Sequence, residues 1–238
     1  MKTNSVWAIV PAAGIGSRMQ ADRPKQYLDL DGKTVLEQTI QRLASHPRIA
    51  GIVIAIAEHD SWWNNISLDF DCQLHTVDGG DTRADSVFNA LIGLADLTDP
   101  NDDPWVLVHD AARPCLRHQD IDHMLETLCH HEVGGVLGIP VNDTVKRVNG
   151  NLEIEETVCR QGLWRAATPQ MFRLQLLAQV LKKAKQQQQI VTDDASAMEL
   201  AGYQPKMVLG HSDNIKITVS HDLALASLFL KLQNGEAR

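Results

Sequence analysis

No paired C-x-x-C spacing occurs in this 238-residue sequence. Cys72, Cys115, Cys129 and Cys159 stand far apart, which removes a zinc ribbon and a disulfide framework and leaves reduced thiols in a cytoplasmic protein as the expectation. Nor does any apolar run approach the roughly 20 residues a membrane helix needs. The apolar stretch near the N-terminus is cut by Pro11, too early for a signal-peptide core. Cations are in short supply: 22 Lys and Arg against 30 Asp and Glu give a net charge of −8, which argues against a nucleic-acid surface. An anionic ligand would then need positive charge focused in a cleft. Two glycine-loop signatures are also missing. Gly14 and Gly16 are followed by Met19 where the dinucleotide fingerprint G-x-G-x-x-G has its third glycine. Gly32-Lys33-Thr34 imitates the tail of a P-loop, but Tyr27 occupies the place of its leading glycine. A nicotinamide oxidoreductase and a P-loop ATPase are both demoted.

What is present is a chain long enough for one large α/β domain, in which hydrophobic runs alternate with amphipathic ones. Val6–Val10, Gly51–Ala57, Leu74–Val77, Trp105–His109 and Val136–Pro140 read as strands, and Thr34–Ala44, Arg83–Leu94 and Gln119–His130 as helices. This rhythm predicts a mainly parallel sheet with helices on both faces, whose ligands bind beyond the carboxyl ends of the strands. Residues 11–18, 78–86 and 109–114 should therefore converge. The rhythm breaks between Val141 and Pro169. Thr144–Val148 and Glu153–Val158 flank Asn149-Gly150-Asn151 as a hairpin, read as a projecting arm over about 141–169. Such a ribbon needs a partner surface, so homodimerisation is expected, with a hairpin folded back on its own domain as the alternative. Arg173–Gln189 reads as a helix, and Ser220 as the cap of a last helix that buries Leu223, Leu225, Leu228 and Leu232.

Pro11-Ala12-Ala13-Gly14-Ile15-Gly16-Ser17-Arg18-Met19, followed by Pro24-Lys25-Gln26, carries the strongest chemical signal. Small residues after a strand let backbone N–H groups approach an anion, and Arg18 and Lys25 add charge for a polyphosphate; the alternative is that Gly14 and Gly16 only form a tight strand-to-helix turn. Asp78 to Ser86 forms a second glycine turn into a helix, fit to read a base edge or ribose, or simply to enter the helix. Asp110, at a strand end, suits a hydrated Mg²⁺ or an ion pair with Arg113, while His109 reads as a buried hydrogen-bonding residue. Lys216 lies in what reads as an apolar strand and must face an anion, either a substrate phosphate or a carboxylate such as Asp110. Thr192 to Ser196 reads first as a helix cap, with ligand contact by Thr192 as the alternative.

Taken together, PAAGIGSRM with PKQY, DGGDTRADS, VLVHDAARP, PVNDTVKR, TPQMF, TDDAS and DNIKIT resemble, in order and across nearly the whole chain, the cytidylyltransferase family that makes 4-diphosphocytidyl-2-C-methylerythritol in non-mevalonate isoprenoid synthesis. The resemblance implies a single Rossmann-like nucleotidyltransferase domain with a β-arm. It also implies transfer of CMP from CTP to methylerythritol phosphate, with Mg²⁺ present and pyrophosphate released. Arg18, Lys25 and Lys216 would be catalytic. Pro11, Ala12, Ala13, Gly14, Gly16, Gly80, Asp81, Ser86 and Ala111 would bind the nucleotide. Asp110 would organise the metal and, with Arg113, Thr144, Arg160, Thr168 and Thr192, form the sugar-phosphate side. In that family the arm completes a neighbour's site, which would place Thr144 and Arg160 in trans. Two residues depart from the family pattern: Cys159 precedes Arg160 where an acid is common, and Asp194 replaces a longer glutamate. A ribitol-phosphate cytidylyltransferase is the nearest alternative, which Ala112 disfavours; a non-catalytic nucleotide-binding module is the second.

Overall fold

The computed structural model describes residues 6–14, 23–68 and 72–236. Strand β1 (Val6–Pro11) is followed by a small hairpin of β2 (Asp29–Leu30) and β3 (Lys33–Thr34), then helix α1 (Val35–Ala44). The Gly32-Lys33-Thr34 run is thus part of a turn, with Asp31 and Gly32 both at positive φ, as a tight two-residue hairpin demands. Next come β4 (Ile49–Ile56), β5 (Gln73–Asp78), α2 (Arg83–Leu97), β6 (Trp105–Val108), α3 (His118–Leu128) and β7 (Gly134–Pro140). These match the expected elements to within a few residues at each end. The arm's strands are β8 (Val145–Val148) and β9 (Ile154–Val158), paired antiparallel.

Beyond the arm the structure corrects the sequence reading. Residues 164–169, assigned to the arm, begin β10 (Trp164–Arg173), which lies antiparallel between β6 and β7 inside the main sheet. Pro169 obscured it: a proline donates nothing to a ladder, and here it falls where the register with β7 shifts, between Ala166 and Gln170. Helices α4 (Leu174–Gln186) and α5 (Asp194–Leu200), strand β11 (Lys206–Leu209) and helix α6 (His221–Gln233) complete the chain. The seven-stranded sheet runs β11-β7-β10-β6-β1-β4-β5, parallel at every pairing except those of β10.

Alternation along the central strands builds two cores. Ala8, Val10, Ile52 and Ile54 pack beneath α1 and α3, with Leu36, Ile40, Ile121 and Met124. Ile9, Val53 and Ala55 face the opposite layer, against Val87, Leu91 and Leu94 of α2 and Leu177 and Leu181 of α4. Helix α6 differs from expectation. It buries Ala226 and Leu230, while Leu225, Leu228 and Leu232 are exposed and the Ser220 side chain makes no capping bond. The helix is apolar on most of its circumference, so its sequence period does not select a face.

Sheet order reverses at β1, whose neighbours β4 and β6 lie on opposite sides. That reversal opens a crevice at the strand carboxyl ends.

Candidate active site

A cavity of about 440 Å³ fills this crevice. It is lined by Pro11 to Gly14 after β1, Lys25 and Gln26, Gly80 to Arg83 and Ser86 after β5, Asp110 to Ala112 after β6, and Lys216. The described parts of the three loops expected to converge do so; residues 15–18 of the first lie outside the described residues. Gly79 and Gly80 let them come close: a Cβ on Gly79 would collide with that of Ala13, and one on Gly80 with that of Asp85. The turn into α2 is fixed by a capping box in which Thr82 and Asp85 satisfy each other's backbone N–H. Ser86 Oγ donates to Thr82 O and accepts from Gly80 N–H.

Gln26, which sequence reasoning passed over, holds the first loop in place. Its buried side-chain amide donates to the carbonyls of Ala12 (2.6 Å) and Gly14 (3.0 Å). Lys25 Nζ donates to Ile217 O at 3.2 Å. That carbonyl belongs to the segment bearing Lys216, which is irregular rather than the strand expected. Its backbone is held by side chains and loops instead of a ladder. Asn214 Nδ2 donates to Thr168 O, Arg113 Nη1 donates to Asn214 O, and Ile217 N–H donates to Ala112 O. Arg117 clamps the Asp213 carboxylate through Nε and Nη2.

Asp110 is the centre of charge. Its Oδ1 accepts from Arg83 Nε at 2.9 Å, its Oδ2 lies 2.8 Å from Lys216 Nζ, and Arg113 Nε stands 3.7 Å away. Both pairings read for Asp110, with Arg113 and with Lys216, are therefore present. Burial would raise the Asp110 carboxyl, but Arg83, Lys216 and Arg113 outweigh it and hold it well below the usual carboxylate range. Arg83 also donates from Nη2 to Asp194 Oδ2 at 3.0 Å. Burial would lower the Arg83 guanidinium, yet Asp194 and Asp110 raise it further above its ordinary value. Burial raises the Asp194 carboxyl, with Arg83 pulling the other way.

His109 is wholly buried and, as read, a hydrogen-bonding residue. Burial lowers it to about 4. Its Nε2 donates to Arg113 O, so in the neutral ring Nδ1 accepts from the Thr168 hydroxyl. That hydroxyl accepts in turn from Asp110 N–H. Thr168 thus holds the backbone at Asp110 and does not line the cavity. Arg113, Thr144, Arg160 and Thr192 do not line it either. Thr144 and Arg160 are exposed on the arm, with Arg160 Nη1 bonded to Asn142 O; Thr192 is exposed just before the Asp193–Ser196 capping box of α5. Arg18 and Gly16 lie outside the described residues. Arg83, Thr82 and Ala112 line the cavity without having been assigned a role. For Arg83 a signal existed, because a cation in a helix's first turn opposes the helix dipole and implies a carboxylate partner.

Mg²⁺ usually takes one or two carboxylates and completes its shell with phosphates and water. No three His, Cys, Asp or Glu side chains cluster as a metal site among the described residues. Asp110 fits the first pattern, since each of its oxygens receives one close N–H donor and keeps lone-pair capacity.

Comparison with known proteins agrees with this geometry. The family model of 2-C-methyl-D-erythritol 4-phosphate cytidylyltransferase (IspD) matches residues 6–232. A relative of that name from Vibrio vulnificus is 50% identical over 226 residues, covering 95% of this chain and 94% of its own length. One from Photorhabdus laumondii is 50% identical over 228 residues, covering 94% and 93%. Among solved structures, that of a 4-diphosphocytidyl-2C-methyl-D-erythritol synthase superposes with a TM-score of 0.83 at 33% identity, over 97% of this chain and all (100%) of its own. The Francisella tularensis enzyme gives 0.80 at 36% identity, over 94% and 99%. A single α/β domain with a crevice at the sheet's reversal, two lysines facing it and this degree of kinship lead to one assignment: the chain belongs to the 2-C-methyl-D-erythritol 4-phosphate cytidylyltransferase family.

Proposed function

We propose that the chain transfers the cytidylyl group of CTP to 2-C-methyl-D-erythritol 4-phosphate, with in-line attack on the α-phosphorus. A phosphate oxygen of the acceptor forms the new bond to that phosphorus, the bond to the bridging oxygen of the β-phosphate breaks, and pyrophosphate leaves. The second pKa of a phosphate monoester is about 6, so the nucleophile is already ionised at neutral pH and no general base is needed. The neutral, occupied His109 is consistent with that. The remaining difficulty is bringing two anions together, which calls for charge cancellation and alignment.

One observation carries the reading: Lys25 and Lys216 border the same cavity, Lys25 bonded to the segment that bears Lys216, in a protein of net charge −8. Lys25 and Arg18 would grip the triphosphate. Lys216, held by Asp110, would reach the reacting phosphates with its remaining N–H donors. The backbone of Ala12 to Gly14, with Gly80, Asp81, Ser86 and Ala111, would hold cytidine and ribose. Asp110 would hold Mg²⁺ on the protein side, and the metal would supply neutralisation of phosphate charge. Arg113 and Thr192, with Thr144 and Arg160 from a second subunit, would face the acceptor. Exposed Leu152, Ile154 and Trp164 on and beside the arm support a homodimer. Four free cysteines support a reducing compartment, the cytoplasm.

The test is Mg²⁺-dependent pyrophosphate release from CTP with methylerythritol phosphate and ribitol phosphate offered in parallel. Release with the first alone is expected. Release with ribitol phosphate alone would change the acceptor, and silence with both in protein that binds CTP would refute the transfer.

A further inference from the structure

Arg83 opens α2, where the helix dipole disfavours a cation, and it stays there because two carboxylates distant in sequence hold it. One is Asp110 on the cavity wall. The other, Asp194, is fully buried at the start of α5 and gives Arg83 only its Oδ2; its Oδ1 has no hydrogen-bond partner. A buried ion pair is no efficient source of stability, since apolar packing usually serves as well. Its geometry is nevertheless unusually constrained. Gln170 on β10 donates to Asp193 Oδ2 at 2.7 Å and accepts from Ala195 N–H at 2.9 Å, fastening the first turn of α5 on both sides of Asp194. Asp194 therefore fixes Arg83. Arg83 then occupies Asp110 Oδ1 and leaves Oδ2 turned to Lys216. A chain of contacts runs from the sheet interior to the lysine assigned to the reacting phosphates.

We propose that Asp194 is a positioning residue for cytidylyl transfer, acting through Arg83 and Asp110 to set Lys216. The proposal rests on the transfer reading above. The nucleotide loop itself is held by the Thr82–Asp85 capping box and the Ser86 bonds, which do not involve Asp194. A defect at Asp194 should therefore reach Lys216 while the nucleotide loop keeps its place.

The experiment is a double-mutant cycle of Asp194→Asn and Arg83→Lys, read as kcat and as KM for CTP. Lysine cannot span two carboxylates as the guanidinium does. Each single change should lower kcat about 10- to 100-fold with the KM for CTP within about threefold, and the double variant should be no worse than the poorer single. Asp194→Glu, which keeps the charge, should stay within about threefold of wild-type kcat. Unchanged kcat in Asp194→Asn overturns the proposal, and so do losses that multiply in the double variant. A loss in Asp194→Glu equal to that of the asparagine overturns it as well, as does any deficit that merely tracks a lowered Tm. Wild-type turnover in the same assay separates the two readings. No transfer by the wild type refutes the reaction itself, whereas an active wild type beside an undiminished Asp194→Asn refutes only the positioning role.

Discussion

The cavity wall and the arm use the same kinds of side chain in opposite surroundings. At the wall, Asp110, Arg83, Asp194 and Lys216 form one connected, largely buried network whose members come from four separated parts of the chain. On the arm, Arg147 meets Glu156 and Lys146 meets Thr157 directly across one hairpin, all in solvent. The first arrangement fixes where charge sits at low dielectric, where a misplacement of an ångström matters. The second gains little from each contact, because water screens it. The arm's exposed Leu152 and Ile154 are better placed to have consequences than its ion pairs.

Three measurements would break or sharpen this contrast. The largest effect is expected from joining the two regions across subunits. Lys216→Ala and Arg160→Ala should each lower kcat by roughly 10²- to 10³-fold, the size expected when a group that stabilises developing charge is removed. A dimer of one variant with the other carries one intact site if Arg160 acts in trans, and its activity should rise well above both parents. Heterodimers of verified composition that remain as poor as the parents would return Arg160 to its own chain.

A smaller effect should appear in the pH dependence of stability. His109 is depressed from 6.5 to about 4 by burial, so the unfolded chain binds the extra proton first. The stabilisation is complete above pH 6.5 and is lost as pH falls toward 4, amounting to about 3 kcal/mol over that window. Denaturant unfolding at pH 7, 5.5 and 4 should show that slope, and His109→Gln should flatten it. An equal slope in the variant would place the acid sensitivity elsewhere. Arg147→Ala should do least: the pair it breaks is more than half exposed on each side (61% and 54%), and the change in stability should be within about 1 kcal/mol. A larger loss would mean that the arm's charges are buried in an assembly.

Much of the molecule was legible because its information is local. The apolar run Val6–Val10, the amphipathic stretches Thr34–Ala44 and Arg83–Leu94, and the Asn149-Gly150-Asn151 turn state their conformations within a few residues. Asp110 and Lys216 could be read because each is a charge set in or beside an apolar stretch, and Lys25 because it follows a loop of small residues. What escaped is non-local or masked by a local exception. Arg83 and Asp194 are 111 positions apart, and nothing in the periodicity of either helix joins them. Strand β10 hides behind Pro169, and α6 is too uniformly apolar to declare its buried face. The segment around Lys216 has no regular structure at all, since side-chain bonds from Asn214, Arg113 and Arg117 stand in for a ladder.

The point where the arm departs has a consequence for how this enzyme can change. The chain leaves the sheet at Pro140 and returns at Trp164, which face each other in the register of β7 and β10, with Val141 N–H bonded to Leu163 O just beyond. To the sheet, the whole arm is the loop of a long antiparallel hairpin. Apart from Thr144 and Arg160, its length and sequence can drift without moving any residue of the cavity wall. The outer arm and the cavity wall are thereby open to separate selection within one uninterrupted domain.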